Sequence, residues 1–282
     1  MDSIRKKELE IIAYKIRKHA VTGVYNAGSG HPGGSLSIAE ILSVLYFDEM
    51  NVNPLDSKNP DRDRFVLSKG HCCPGYYGAL AERGFFSVED IKTLRKADSY
   101  LEGHPDMKKI PGVDMSSGSL GQGISAACGM ALAGKIDKKD YRVYTILGDG
   151  EIEEGQVWEA SMYAAHYKLD NLTVFVDLNG LQIDGATKDV MSSAPVDKKF
   201  EAFGFNVIVI DAHDVEAIKN AITEAKQCKG KPTAVICNSV KGKGVSFMEN
   251  QASWHGKAPK TEEYEAAIAE IEAKIKELEE AL

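Results

Sequence analysis

Cysteine is scarce in this chain, five in 282 residues, and no Cys-x-x-Cys pair occurs among them. That excludes zinc sites built on paired cysteines and thioredoxin-like redox motifs. Cys72 and Cys73 are adjacent, which does not suit an ordinary disulfide, so the five read as free thiols. Positive charge is also short. Lys and Arg number 34 against 42 Asp and Glu, a formal net charge of -8. Binding nucleic acid through phosphate neutralisation is not expected of that balance. No apolar run approaches the roughly 20 residues of a membrane span, so no membrane role is expected. The start, MDSIRKKELEII, carries charges where a signal peptide has its apolar core, and a cytoplasmic location is expected.

What is present is ordinary globular composition, 43% hydrophobic, in a chain long enough to bury a core. Leu9, Ile12, Ile16 and Ala20 recur near helical spacing and predict a helix over 6–24. Ser37 and Glu40 form a capping-box pattern opening a second helix through about residue 50. Ser87 and Asp90 are candidate caps of a short helix, and 100–123 reads as loop. Beyond that the chain alternates regularly. Strands are expected at 65–67, 143–147, 172–176, 205–210 and 233–237. Helices are expected at 121–134, 154–167 and 215–227. These strands are apolar at consecutive positions, as when both faces of a parallel sheet are covered. The expected fold is α/β, a mostly parallel sheet with helices on both faces. No repeat or low-complexity linker divides it, so 1–260 reads as one domain. The last segment, 261–282, reads as an amphipathic helix packed on the domain or on a partner.

Gly28 to Gly33 matches G-x-G-x-x-G, but it follows a helix where a dinucleotide fingerprint follows a strand, so that function is rejected. Gly148-Asp149-Gly150 is better placed, directly after a predicted strand. Its glycines admit backbone N–H groups to phosphate oxygens, and Asp149 suits a hard cation. Thirty positions later comes Asn179, after the next predicted strand. Asp149, the Asn179 amide oxygen and a nearby carbonyl would leave room for diphosphate oxygens and water around Mg²⁺. Four of the seven histidines sit in glycine-rich loops: His31, His71, His104 and His255. Histidine there suits diphosphate hydrogen bonding and proton shuttling. His19, His166 and His213 fall on or beside predicted helices and strands and read as structural.

The Gly-Asp-Gly to Asn spacing resembles the diphosphate-metal motif of thiamine diphosphate enzymes. The loops Ser29-Gly30-His31-Pro32-Gly33, Ser68-Lys69-Gly70-His71, Glu102-Gly103-His104-Pro105, Gly118-Ser119-Leu120-Gly121-Gln122-Gly123 and Ser253-Trp254-His255-Gly256-Lys257 narrow the resemblance to transketolase, in that family's order. The resemblance implies that Asp149, Asn179 and the Leu181 carbonyl bind Mg²⁺, with Ca²⁺ or Mn²⁺ as substitutes. It implies that His71, Gly118, Ser119, Leu120, Gly150, Asn179, Lys241 and His255 contact thiamine diphosphate. His31, His104 and His255 would face the sugar, and Glu154 would lie at the subunit interface linking two cofactor sites. One departure stands out: Gly34 occupies a position where family members often carry a hydroxyl.

The resemblance covers only the diphosphate-binding half of a complete transketolase. It implies the N-terminal subunit of a split enzyme whose partner is the C-terminal, pyrimidine-binding subunit, assembled as an α2β2 heterotetramer. That assembly would transfer a two-carbon ketol unit between sugar phosphates in the pentose phosphate pathway. The alternatives are a ketol transferase with another sugar acceptor and a non-catalytic diphosphate-binding subunit.

Overall fold

The computed structural model describes residues 1–282. Its strands are β1 (Arg64–Leu67), β2 (Val143–Gly148), β3 (Leu172–Leu178), β4 (Leu181–Gln182), β5 (Gly185–Ala186), β6 (Asn206–Asp211) and β7 (Thr233–Asn238). Five of them form one sheet in the order β1-β2-β3-β7-β6, parallel throughout. β4 and β5 make a short antiparallel hairpin beyond β3.

Side chains alternate across a strand, so each central strand feeds two cores. Val143 and Leu147 of β2 and Leu172, Val174 and Val176 of β3 pack against the helices Gln122–Ile136 and Gly155–His166. Tyr144, Ile146 and Phe175 face the other way, toward the helices Ser3–Ala27, Cys73–Arg83 and Val215–Gln227. The consecutive apolar runs thus have the expected cause. β6 departs from it. As an edge strand it is only partly covered, and Val209 is 54% exposed.

The chain lays down β1, β2 and β3 in order, then crosses to the far edge for β6 and returns with β7. The direction of winding reverses between β3 and β7, and a crevice opens there at the carboxyl ends of the strands. The loops after β2, β3 and β7 all reach it.

The second helix is not the one expected. It breaks into Pro32–Leu36 and Ala39–Val44, followed by a π turn over Leu45–Glu49. No capping box forms at Ser37 and Glu40. The Ser37 hydroxyl donates instead to the Gly34 carbonyl (3.1 Å) and to Asp177 (2.7 Å). Glu40 is buried and accepts from Arg17 at 2.6 Å and from His213 at 3.1 Å. Its carboxyl settles at about 2, because Arg17 and His213 outweigh the burial that would raise it. A buried ion pair has taken a residue that local capping would have used. Ser87 does cap, accepting from the Glu89 amide at 3.3 Å, but it opens only the 3-10 turn Val88–Thr93.

The C-terminal helix Thr261–Glu280 lies on this chain's own helix Ser3–Ala27. Ala267 and Ile271 are buried with Ala20, Val21, Met248 and Trp254, and Tyr264 stacks on Tyr25 at 4.1 Å between centroids. Burying one isoleucine there is worth about 1.5–3 kcal/mol. No helix is long and apolar enough to cross a membrane.

Candidate active site

Gly148 closes β2 and pairs in register with Asp177 of β3, so Asp149 sits beside the end of the neighbouring strand. Asp149 is 2% exposed. Its oxygens accept only backbone hydrogens, from Gly150 at 3.0 Å and Gly180 at 2.5 Å. Burial, with the charge of Asp177 adding to it, pushes the Asp149 carboxyl up to about 6. A buried carboxylate with no ion-pair partner is short of one positive charge, which a divalent cation would supply.

Asn179 follows at the end of β3. Its Nδ2 donates to Asp177 at 3.0 Å, and its Oδ1 accepts from the Leu181 amide at 3.1 Å. A carboxylate only accepts, so Asp177 fixes which way the amide points and leaves Oδ1 as the outward oxygen. The Leu181 carbonyl already faces a cation: Lys241 Nζ donates to it at 3.0 Å, and the same nitrogen lies 3.0 Å from His255 Nδ1. Lys241 is buried, and burial pulls its ammonium below the ordinary lysine value, with Lys69 adding to the effect. No group of three or more His, Cys, Asp or Glu side chains is arranged to hold a metal ion. The donors that do converge are one carboxylate, one amide oxygen and one carbonyl, a set that suits a hard cation sharing its shell with phosphate oxygens.

Over this corner lie the histidines. Ring centroids are 5.1 Å apart for His31 and His71, 5.1 Å for His71 and His255, 5.4 Å for His31 and His255, and 6.5 Å for His31 and His104. Burial lowers all four. His31 and His71 fall to about 4 and His255 to about 3, helped by neighbouring histidines and lysines. His104 is lowered by burial and then by Arg95. At neutral pH the cluster is uncharged, so each ring can both give and accept a hydrogen bond. His31 Nδ1 is buried without a partner, as is Gln182 Oε1 on the hairpin beside it.

The cavity these groups enclose is about 420 Å³. It brings together His31, His71, His104, Gly118, Leu120, Asp149, Gly150, Asn179, Leu181, Lys241 and His255. Ser119 does not line it. Glu154 lies outside as well, exposed at the N-cap of the helix Gly155–His166. Gly118 has φ 158°, and a Cβ there would come 3.1 Å from the His104 ring. The unusual Gly34 has a plain cause: a Cβ would stand 2.5 Å from Cys72 Sγ.

Five lining or floor residues receive no role from the sequence: Lys69, Asp177, Glu151, Gln182 and Ile183. Lys69 pairs with Asp177 beneath the cavity, both buried, and also donates to the Gly34 carbonyl at 3.1 Å. Lys69 and Glu151 belong to or directly follow recognised motifs, but sequence alone does not say which groups they meet.

A family model described as the transketolase, thiamine diphosphate binding domain matches residues 9–274. The chain is 45% identical to a 6-deoxy-6-sulfo-D-fructose transketolase subunit of Clostridium sp. (strain MSTE9), covering 94% of this chain and 96% of that protein. It is 44% identical to an apulose-4-phosphate transketolase subunit of Phocaeicola vulgatus, covering 96% of each. It is also 44% identical to human transketolase, covering 97% of this chain and 44% of that longer protein. Among solved structures, a mutant transketolase from Pichia stipitis superposes with a TM-score of 0.87 at 33% identity, covering 98% of this chain and 44% of that one. With the Gly-Asp-Gly and Asn179 loops meeting at the crevice beneath the histidines, this chain belongs to the transketolase family and comprises its thiamine diphosphate binding domain.

Proposed function

We propose that this chain is the N-terminal subunit of a two-chain transketolase, holding thiamine diphosphate and Mg²⁺ for ketol transfer with a complementary pyrimidine-binding subunit. The observation that carries the proposal is Asp149, buried and without an ion pair beside Asn179 and the Leu181 carbonyl. Asp149, Asn179 Oδ1 and the Leu181 oxygen would hold the metal. His71, Lys241, His255 and the backbone of Gly118, Ser119, Leu120 and Gly150 would hold the diphosphate. Lys241 would move from the Leu181 carbonyl to a phosphate oxygen, a stronger acceptor for an ammonium.

Thiamine diphosphate supplies an electron sink when bound. The chain supplies hydrogen bonds and proton transfer. His31, His104 and His255 are neutral at pH 7, so each can accept a hydrogen bond from a sugar hydroxyl or donate one to a carbonyl oxygen, and would orient those groups for proton transfer. Four neutral histidines over one corner favour a catalytic subunit over a passive diphosphate holder. Glu154 would meet a neighbouring subunit, a reading that its exposure at the helix N-terminus supports.

The sugar is a separate question. The relatives of similar length are named for 6-deoxy-6-sulfo-D-fructose and for apulose 4-phosphate, which supports a sugar other than those of the pentose phosphate pathway. The test is co-expression with the complementary subunit, then ketol-transfer assays on pentose phosphates, apulose 4-phosphate and sulfofructose with thiamine diphosphate and Mg²⁺. Transfer by the pair and not by this chain alone is expected. Full activity of this chain by itself, or none with any complementary subunit, overturns the proposal.

A further inference from the structure

Glu151 stands two residues past Asp149, is 2% exposed, and forms no ion pair. Its carboxylate instead gathers three donors from three separate loops. One oxygen accepts from Ser68 Oγ at 2.6 Å and from the Gly121 amide at 2.9 Å. The other accepts from the Gly148 amide at 3.0 Å. Ser68 follows β1 and leads into Lys69-Gly70-His71. Gly121 follows Gly118-Ser119-Leu120 and opens the helix Gln122–Ile136. Gly148 ends β2 just before Asp149.

The backbone that supplies these donors is tightly packed. A Cβ on Gly123 would lie 2.6 Å from Ser68 Cα, and one on Gly121 would lie 3.0 Å from Glu154 Cβ. Gly121 has φ 81°, a left-handed conformation held at the point where its amide meets the carboxylate. A carboxylate offers about four lone-pair sites and no hydrogen, so it suits a point where three donors converge.

We propose that Glu151 is a positioning residue for the cofactor: its buried carboxylate holds in register the three loops that carry His71, Gly118 to Leu120, and Asp149. The cradle is then formed before the diphosphate arrives, and binding does not have to order it. The inference rests on the thiamine diphosphate reading above.

Glu151→Gln preserves the shape but can accept from only one of the two backbone amides, since its NH₂ must face the other. Ser68→Ala removes one donor and leaves the carboxylate. The test measures thiamine diphosphate affinity with Mg²⁺ by calorimetry on the complex with the complementary subunit, alongside melting of the cofactor-free complex and kcat at saturating cofactor. Outer-shell partners of this kind are worth about 10- to 100-fold in affinity. Glu151→Gln is expected to weaken cofactor binding within that range and Ser68→Ala several-fold, with kcat at saturation near wild type. Wild-type affinity in Glu151→Gln overturns the inference. So does a loss that merely tracks the fall in melting temperature across the variants. If Glu151→Gln does not fold, Ser68→Ala decides, and unchanged affinity there overturns it. A wild-type complex that binds no thiamine diphosphate sinks the functional reading instead, which separates the two failures.

Discussion

The ends of β2 and β3 lie side by side and treat a buried carboxylate in opposite ways. Asp177, fully buried in β3, accepts from Lys69, from Ser37 at 2.7 Å, from Asn179 at 3.0 Å and from Ser239. Burial would raise its carboxyl, but Lys69 and the hydroxyl donors outweigh that and hold it below the ordinary range. Asp149, one loop away, has two backbone amides and no paired cation, and is pushed up to about 6. The same group in the same crevice is saturated in one place and left wanting charge in the other. Asp177 is part of the scaffold, fixing the Asn179 amide. In the proposed function, Asp149 would be the position that takes the cation.

The largest effect should come from Asp177→Ala, which strands the buried Lys69 ammonium. Removing one member of a buried pair costs about 3–5 kcal/mol. Denaturant unfolding of the metal-free chain measures it, and a loss below about 1 kcal/mol would erase the contrast between the strands.

Asp149→Asn tests the other carboxylate through its pH dependence. The Asp149 carboxyl rises from 3.8 to about 6 on folding. A raised acid contributes stability below the unfolded value and loses it as pH climbs through the folded one. The asparagine NH₂ must face one of the two backbone amides that Asp149 accepts from, a cost that is the same at every pH. The readout is therefore the pH-dependent part. By pH 8, with chelator present, wild type should have lost up to about 3 kcal/mol relative to the variant, at about 1.4 kcal/mol per pKa unit. That pH-dependent part should vanish below about pH 4. A stability gap independent of pH would mean that the charge on Asp149 is not what burial makes costly.

Ser239→Ala should give the smallest change. It removes one of several donors to Asp177, worth about 1 kcal/mol. Thermal melts should show a shift of the same sign as Asp177→Ala. No shift would indicate that the remaining donors, Lys69, Ser37 and Asn179, satisfy that carboxylate.

Much of this site could be read from spacing. Gly148-Asp149-Gly150 and Asn179 are linked by one helix and one strand, so the order of elements already put their loops on neighbouring strands. The loop histidines were visible because glycine and proline flank them. Glu40 departs from its local pattern for the converse reason. Its nearest sequence partner, Ser37, offered a cap, while its actual partners Arg17 and His213 lie 23 and 173 positions away. Glu151 carries no distinguishing signal in the sequence, because its donors Ser68 and Gly121 lie 83 and 30 positions away.

Short-range pattern settled which residues become strands, which face each strand side chain takes and where the glycine loops fall. These depend on a two-residue or 3.6-residue period and on backbone freedom, which act within a few positions. The pairing of charges came from elsewhere. Ser68 meets Glu151 across 83 positions, Lys69 meets Asp177 across 108, and Ser37 meets Asp177 across 140. Those meetings follow from sheet order and the reversal between β3 and β7. Whether a carboxylate is held low or pushed up depends on burial and on the nearest charge, and both exist only once the chain has folded.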